Sequence, residues 1–336
     1  MNDQLNNIKL KKRAAKVSLI AGIIIFITKF SAFLVTDSTA IFSDAAESVI
    51  NIVAAAVALY SIIISSKPAD KDHPYGHGKI EYFSAGFEGL LIAIAGIVII
   101  FSGIENIIIG SEPSKLGLGI ILLGGSSLAN LFLSLYIKSV GEKTNSLTLI
   151  ADAKHVMADV YTSFGIIVGL GVVMITNIPI FDPIIAIIVA VNILFTGYKL
   201  VRESVGGLMN EVDCETLKII SSKIIETRKP EWIDIHELRF WKSANNTFID
   251  FHMVLPFYFT IKEAHKSDEL ILAEMTKIMP GTQVKIHLDY CDYQLCKFCE
   301  FINCTERKEE FAEKAEWTQN RLTDIGIRKV NGLKEP

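Results

Sequence analysis

Two stretches of the chain carry chemically versatile side chains at the same spacing. The first reads D-x2-E-x3-N from Asp44 to Asn51, and the second reads D-x2-H-x3-D from Asp152 to Asp159. Steps of three and four residues place the side chains of each stretch on one face of a helix. Two such faces, brought together, offer one imidazole nitrogen and several oxygens, which suit a tetrahedral divalent site such as Zn²⁺. The predicted ligands of this site are Glu47, Asn51, His155 and Asp159.

A structural interpretation of the same residues is also available. Glu47 would cap the start of a helix, while His155 and Asp159 would form a buried hydrogen-bonded pair. Because the same spacing occurs twice, metal ligation is favoured for the four predicted ligands. For Asp44 and Asp152, helix capping or support of a neighbouring ligand is favoured over direct ligation.

The elements that must position these residues are apolar. Half of the 336 residues are hydrophobic, 21% are charged, and the mean hydropathy is +0.39. This composition excludes a disordered chain and argues against a purely soluble enzyme. A helix needs about 20 apolar residues to cross a bilayer, and six stretches are long enough: 16–36, 40–65, 84–109, 116–138, 147–176 and 178–200. An ionisable group in such a stretch costs about 2.5–3.5 kcal/mol, so the two motifs are functional candidates, and Glu88 is a further candidate for proton relay.

The loops between these stretches differ in their Lys and Arg content. Basic residues are concentrated in the N-terminal segment and in the loops after the second and fourth stretches, whereas the opposite turns carry at most Lys115. Since basic loops remain cytoplasmic, we expect both termini to be cytoplasmic. The first apolar stretch is longer than a signal-peptide core, so we expect it to anchor an integral protein of the plasma membrane.

The chain changes character after residue 208. Residues 1–208 carry 15 basic and 15 acidic residues, so the whole net charge of −4 lies beyond them. The pattern there predicts an α-β-β-α-β order, with elements over 212–229, 232–241, 247–255, 262–279 and 283–288. This order is typical of a small α+β domain with two helices on one face of a sheet. We therefore expect a six-span transmembrane domain over 1–208, a cytoplasmic domain over 209–290, and a Cys-rich tail with a charged extension over 291–336.

Two further groups of candidate ligands lie outside the apolar stretches. The loop after the second stretch holds Asp70, His73 and His77, which fit a metal site and a hydrated turn equally well. The tail carries the pattern C-x4-C-x2-C-x4-C, at Cys291, Cys296, Cys299 and Cys304. Disulfides are disfavoured in the cytoplasm, so these thiols indicate a thiolate metal site. Zn²⁺ is the preferred metal, an iron–sulfur cluster is the alternative, and unbound reduced thiols are the remaining interpretation. We expect residues 305–336 to form a charged, loose helix.

Together these features resemble the cation diffusion facilitator family of metal/proton antiporters. The resemblance covers about residues 10–290 and rests on the paired motifs, the loop sequence His-Pro-Tyr-Gly-His-Gly-Lys and the histidine-bearing α-β-β-α-β domain. It implies a homodimer of six-span protomers with metallochaperone-like cytoplasmic domains, a transport site between spans two and five, and a loop metal site. It also implies a regulatory metal site at the cytoplasmic dimer interface, formed by His236, His252, His265, His287 and Asp289.

The chain departs from the family pattern in three places. Zinc-type members commonly have His or Asp followed by Asp in the second span, where this chain has Glu47 and Asn51, which leaves metal identity and proton number open. The family's loop lysine, here Lys79, pairs with an acid just after the sixth span. The matching position is Asn210, so Glu211 or Asp213 would have to take its place in this dimer interlock. The four-Cys tail lies beyond the family core.

The resemblance implies secondary active efflux of divalent transition-metal cations from the cytoplasm in exchange for protons. Zn²⁺ is the first candidate, because His155 favours a borderline metal over Mg²⁺, and Fe²⁺, Co²⁺, Cd²⁺ and Mn²⁺ follow. The alternative is a membrane metal sensor or storage protein that transports nothing. The sequence has no H-E-x-x-H motif, nucleophile elbow or P-loop, so we expect neither an enzyme nor ATP-driven transport. The expected partners are a second copy of the chain, the lipid bilayer, divalent metal ions and protons, and no nucleic acid.

Overall fold

A computed structural model of the chain divides into two compact units, residues 1–209 and 210–336. The structure describes residues 2–36, 39–109, 117–176, 178, 180–244 and 246–325. Within the helices, the side chains of some further residues, including Asp44 and Glu47, lie outside the described part.

The first unit is built from long helices. They are α1 (Asn2–Thr36), α2 (Thr39–Ser65), α3 (Ile80–Ile109), α4 (Gly117–Thr144), α5 (Leu147–Thr176) and α6 (Phe181–Leu208). In the described part of the chain, four helices contain a stretch apolar and long enough to cross a membrane: Asn6–Ser31, Ser48–Ser65, Ile80–Ile109 and Pro183–Leu208. The predicted helical membrane fold is thus confirmed, while spanning by α4 and α5 stays a prediction. The first half of α5 carries three charged side chains, which lowers its hydropathy.

Small residues let the helices of this unit approach closely. A Cβ atom built on Gly197 of α6 would lie only 2.7 Å from the backbone oxygen of Gly89 and the backbone nitrogen of Ala93 on α3. Close backbone approach at small residues is a common way for helices to pack in a membrane, where burial of apolar surface offers little driving force. The α3–α6 pair therefore combines close backbone contact with packing of Ile92 on α3 in the same apolar cluster as Ile193 and Leu200 on α6.

The second unit has the predicted α-β-β-α-β order. Its elements are α7 (Cys214–Thr227), β1 (Asp234–Ser243), β2 (Asn246–Leu255), α8 (Ile261–Ile278) and β3 (Gln283–Tyr290). The sheet order is β1-β2-β3, with β1 and β2 antiparallel and β2 and β3 parallel. The apolar faces of both helices and the sheet form one core, which includes Ile220, Trp232, Phe251 and Ile271.

The tail folds back onto this α+β unit instead of forming the expected loose helix. In its described part the only α-helix is α9 (Gln319–Thr323), so the helix predicted over 305–336 is wrong for 305–318, which is irregular. Ala315, Trp317 and Leu322 enter the same core as α7 and the sheet. Arg321 binds the buried carboxylate of Asp234 on β1, which fixes α9 against that strand.

Candidate metal sites

Helices α2 and α5 bring three of the four predicted membrane ligands together. The Asn51 amide nitrogen donates to Asp159 Oδ2 over 2.5 Å, and His155 Nε2 lies 2.9 Å from Asn51 Oδ1. The amide of Asn51 therefore bridges an imidazole and a carboxylate that lie one helical turn apart on α5. The side chain of the fourth residue, Glu47, lies outside the described part, and Glu47 precedes Asn51 by one helical turn on α2.

The donor atoms at this site are already engaged with one another. A metal ion bound at the lone pairs that accept these hydrogen bonds must displace the Asn51–Asp159 and Asn51–His155 contacts, because one lone pair cannot serve a hydrogen and a metal at once. The other imidazole nitrogen, His155 Nδ1, is buried and makes no hydrogen bond within the described part of the chain. The arrangement suits exchange of a bound ion better than permanent retention.

Two further carboxylates lie buried near these ligands. Asp152 is 1% exposed, one helical turn before His155 on α5, and Glu88 on α3 is fully buried. Both oxygens of Glu88 and Oδ2 of Asp152 make no hydrogen bond among the described residues. Glu88 is close enough to Asp152 for their charges to interact. Asp44, the equivalent of Asp152 on α2, has its side chain outside the described part.

The loop between α2 and α3 gathers its three predicted ligands. Ligand atoms of Asp70, His73 and His77 all lie within 4.8 Å of one another. His73 Nδ1 is 3.2 Å from Asp70 Oδ1, and His77 Nε2 is 3.3 Å from Asp70 Oδ2. Gly76 sits at φ +82°, a conformation that glycine adopts without strain, and it turns the chain between the two histidines. The backbone N–H of His73 lowers the pKa of Asp70, helped by the neighbouring imidazoles, so the carboxylate stays ionised and ready to bind a cation.

In the α+β unit, strand register aligns three histidines. His236 on β1 pairs with His252 on β2, which pairs with His287 on β3. Directly opposed residues share a face of a sheet, so the imidazoles form a row, with ring centres 5.1 and 4.5 Å apart. The carboxylate of Asp289 contacts all of them, at 2.9 Å from His252, 3.6 Å from His236 and 3.5 Å from His287.

The compact group among these is His236, His252 and Asp289, whose ligand atoms lie within 4.8 Å of one another. Burial lowers the pKa of His236 against the opposing effect of Asp234 and Asp289, which keeps its ring neutral and able to bind metal. His265 lies apart from this group. It is exposed on α8, 3.6 Å from both Asp268 and Glu269.

The four tail cysteines lie in one irregular segment that begins directly after β3. All are reduced, and Cys296 and Cys299 are buried. Burial raises the pKa of Cys291, which is also raised by the nearby Cys299, Cys296 and Cys304 thiols. Burial and the neighbouring Cys304 likewise raise the pKa of Tyr258 to about 12. Within the described chain, no three of these sulfur atoms lie within 4.8 Å of one another.

The predicted Lys79 interlock would cross between the two units and stays a prediction. Asp213, one of its two candidate partners, is engaged inside the α+β unit. Its carboxylate caps α7 through the Glu215 N–H at 3.2 Å and accepts hydrogen bonds from Thr216 at 2.5 Å and Lys242 at 2.6 Å.

Sequence reasoning missed two buried ionic groups. Asp234 lies 3.7 Å from His236 Nδ1 and binds Arg321. The Asp-Ile-His spacing was a usable signal, because residues two apart share a strand face. Lys11 and Glu81 form a buried ion pair at 3.1 Å. In the sequence, Lys11 is one of several N-terminal lysines that indicate membrane orientation, and nothing distinguishes it from exposed lysines such as Lys9 and Lys16.

Comparison with known proteins finds relatives of both units of the chain. The model of the cation efflux transmembrane domain matches residues 15–209, and that of the cation efflux protein cytoplasmic domain matches residues 212–291. The chain is 32% identical to an uncharacterized transporter of Synechocystis, over 84% of this chain and 91% of that one. It is 31% identical to the manganese efflux system protein MneP of Bacillus subtilis (84% and 96%) and 27% identical to the cation-efflux pump FieF of Citrobacter koseri (84% and 94%).

Proposed function

The chain belongs to the cation efflux family, the cation diffusion facilitators, and from that premise we propose that it exports divalent transition-metal cations from the cytoplasm in exchange for protons. The family consists of membrane transporters for divalent metal cations rather than enzymes. Its cytoplasmic dimerisation domain, present here, implies a homodimer. Beyond family membership, we propose which ion is exchanged, which metal is transported and which residues bind the metal.

The observation that carries the proposal is the bridge made by Asn51 between His155 and Asp159. It joins the motif residues of α2 and α5 in a unit that we assign to the membrane. Glu47, one helical turn before Asn51, completes the proposed transport site. Glu47, His155 and Asp159 each bind either a metal ion or a proton at a given lone pair, so metal and protons compete for these three groups.

Proton exchange follows from this competition. On the cytoplasmic side, metal displaces the hydrogen bonds of Asn51 and any protons held by Glu47, His155 and Asp159. When α2 and α5 rock towards the other side of the membrane, protons return to those groups and release the metal. Asp152 and Glu88, buried beside the site, extend the set of carboxylates that can hold a proton.

The donor set narrows the choice of metal. One imidazole nitrogen with carboxylate and amide oxygens suits Zn²⁺, Fe²⁺, Co²⁺ and Mn²⁺ better than Mg²⁺, which prefers oxygen ligands alone. Zn²⁺ is our first candidate, because the four groups fit tetrahedral coordination. Mn²⁺ is the strongest competitor, because three of the four groups offer oxygen and one relative is a manganese efflux protein.

We also propose an orientation and a regulatory role. The basic residues in the loops support a cytoplasmic location for both termini and for the α+β unit. There, His236, His252 and Asp289 would bind the same class of metal, with His287 completing the set, and draw the two cytoplasmic domains of the dimer together. Export would then respond to cytoplasmic metal concentration.

Transport by the purified protein in proteoliposomes tests the proposal. Zn²⁺, Fe²⁺, Mn²⁺, Co²⁺ and Cd²⁺ are offered separately, with metal flux and internal pH followed together. We expect coupled metal and proton movement that Asp159→Asn abolishes. The matched control is Glu142→Gln, which removes an exposed carboxylate of α4 and should leave flux unchanged. Metal binding without flux would favour a sensor or storage protein, and flux that Asp159→Asn leaves intact would overturn the site assignment.

A further inference from the structure

The tail cysteines have no part in the proposed transport cycle, yet two of them make specific contacts with the α+β unit. Cys291 is fixed to the end of the sheet, because its N–H donates to the Leu255 carbonyl over 2.9 Å. Cys299 packs in a small apolar cluster with Ile233, Val254 and Leu295. The segment is therefore anchored to the α+β unit at both Cys291 and Cys299.

Two backbone N–H groups are directed at sulfur atoms of this segment. The Phe257 N–H is directed at the Cys291 sulfur, and the Phe301 N–H at the Cys299 sulfur. Tight turns also end at cysteines. The Cys299 N–H donates to the Cys296 carbonyl and the Cys304 N–H to the Phe301 carbonyl, both over 3.3 Å.

The partly buried guanidinium of Arg307 stabilises the same turns. Arg307 donates to the carbonyls of Cys296 at 2.9 Å, Cys299 at 2.7 Å and Phe301 at 3.1 Å. These bonds fix the backbone at both cysteines of the C-x2-C pair and at Phe301 beyond it. Apart from one short 3-10 helix at Tyr293–Phe298, the segment has no regular structure to do so.

The sulfur atoms are neighbours but are not yet at ligand distance. Cys291 interacts electrostatically with each of the other three thiols, although no three of the described sulfur atoms lie within 4.8 Å of one another. Rotation of a cysteine side chain between staggered rotamers moves its sulfur without moving the backbone. Binding of one metal ion by all four thiols therefore requires such rotations.

We propose that Cys291, Cys296, Cys299 and Cys304 bind one Zn²⁺ as a four-thiolate site that fastens the tail to the cytoplasmic domain. Four thiolates satisfy the tetrahedral preference of Zn²⁺ and leave no open position, which defines a structural rather than a transported ion. Bound metal would then stabilise the docked tail further, because the sulfur ligands are brought together only in the folded chain. The site is independent of transport, so loss of flux leaves it intact.

Metal content and thiol protection of the full-length protein test this site. The other proposed sites are first disabled with Asp159→Asn, His252→Ala and His73→Ala, and the protein is loaded with Zn²⁺ or Co²⁺ under reducing conditions. We expect one equivalent of metal per chain and, with Co²⁺, a thiolate-to-metal charge-transfer band that nitrogen and oxygen ligands do not give. Cys296→Ser with Cys299→Ser should remove both, whereas Cys214→Ser, which changes the exposed fifth cysteine, should remove neither.

A measurement on the unmutated chain tests the same site without relying on the fold of the double variant. Zn²⁺ should protect four of the five cysteines from alkylation, counted by mass spectrometry, and leave Cys214 reactive. Iron–sulfur absorption in the purified protein, alkylation of the tail thiols at the same rate with and without Zn²⁺, or equal metal loss in Cys214→Ser would each overturn the proposal. Flux assays on the same samples report separately on the transport site.

Discussion

Lysine 11 should stabilise the membrane unit far more than an exposed lysine does. Its Nζ lies 3.1 Å from Glu81 Oε1, and both residues are 3% exposed. Glu81 also accepts hydrogen bonds from Ser65 at 3.0 Å and Ser146 at 2.8 Å. One carboxylate thereby ties together α1, α2, α3 and the turn before α5. Lys11→Met removes the ammonium group and keeps most of the apolar stem.

The size of the effect follows from burial and distance. At 3.1 Å and an effective dielectric constant of about 20, the pair attracts by about 5 kcal/mol before desolvation is subtracted. Removing one partner of a buried pair costs about 3–5 kcal/mol, because the other charge stays buried. Two hydroxyl groups still serve Glu81 in Lys11→Met, so we expect the lower figure, about 3 kcal/mol, or a roughly 150-fold change in the folded-to-unfolded ratio.

Equilibrium unfolding in detergent micelles, followed by the helical circular dichroism signal, measures this cost. A double-mutant cycle with Glu81→Gln should show that the two substitutions together cost about 2 kcal/mol less than their sum, since each alone strands the other group. The matched control is Lys138→Met, which breaks an exposed ion pair with Glu142 at 3.8 Å. That variant should lose about 0.5 kcal/mol or less. Equal losses for Lys11→Met and Lys138→Met, or strict additivity in the cycle, would refute the reasoning.

Three further predictions concern other parts of the chain. His252→Ala should remove the metal site formed with His236 and Asp289, so isothermal titration calorimetry should show a lower metal stoichiometry, whereas His265→Ala on α8 should leave the stoichiometry unchanged. Asp213→Asn should lower the free energy of unfolding near pH 7 and cease to do so at low pH. Partial burial tends to raise the pKa of Asp213, but the hydrogen bonds and charge of Lys242 and its other partners bring it below 3.8. The stabilisation is therefore present above the unfolded pKa and disappears as the pH falls through the lower folded value. A denaturant titration of both proteins at several pH values measures how the stability difference between them changes with pH. Gly197→Ala should cost about 1–3 kcal/mol in the same assay, because the added Cβ would lie 2.7 Å from backbone atoms of α3.

Much of the fold could be predicted from local periodicity in the sequence. The predicted strand over 247–255 is observed as Asn246–Leu255, and the predicted helix over 262–279 as Ile261–Ile278. The spacing in spans two and five was enough to place Asn51, His155 and Asp159 on facing sides of two helices. These features depend on residues a few positions apart, where side-chain direction follows directly from helix or strand geometry.

Contacts between distant parts of the chain were not accessible in the same way. Asp234 and Arg321 are 87 residues apart, and their bond depends on α9 reaching β1. Trp317 lies in an irregular segment whose sequence reads as a solvated charged tail, yet Arg228 covers its ring at 4.4 Å from the centre. The family resemblance groups His265 with the other cytoplasmic histidines, and only the strand register shows that His236, His252 and His287 form a row.

Charge balance explains why an asparagine, Asn51, rather than a carboxylate suits the membrane site. With Glu47 and Asp159 ionised and His155 neutral, the site carries two negative charges, and a bound divalent cation brings the total to zero. A carboxylate in place of Asn51 would leave one uncompensated negative charge in a low-dielectric region, where unpaired charges are costly. The amide still supplies an oxygen to the metal and, when metal leaves, donates to Asp159 and accepts at its oxygen beside His155. Asn51 thus serves both states of the site without changing its own charge, so the protons exchanged for metal are left to Glu47, His155 and Asp159.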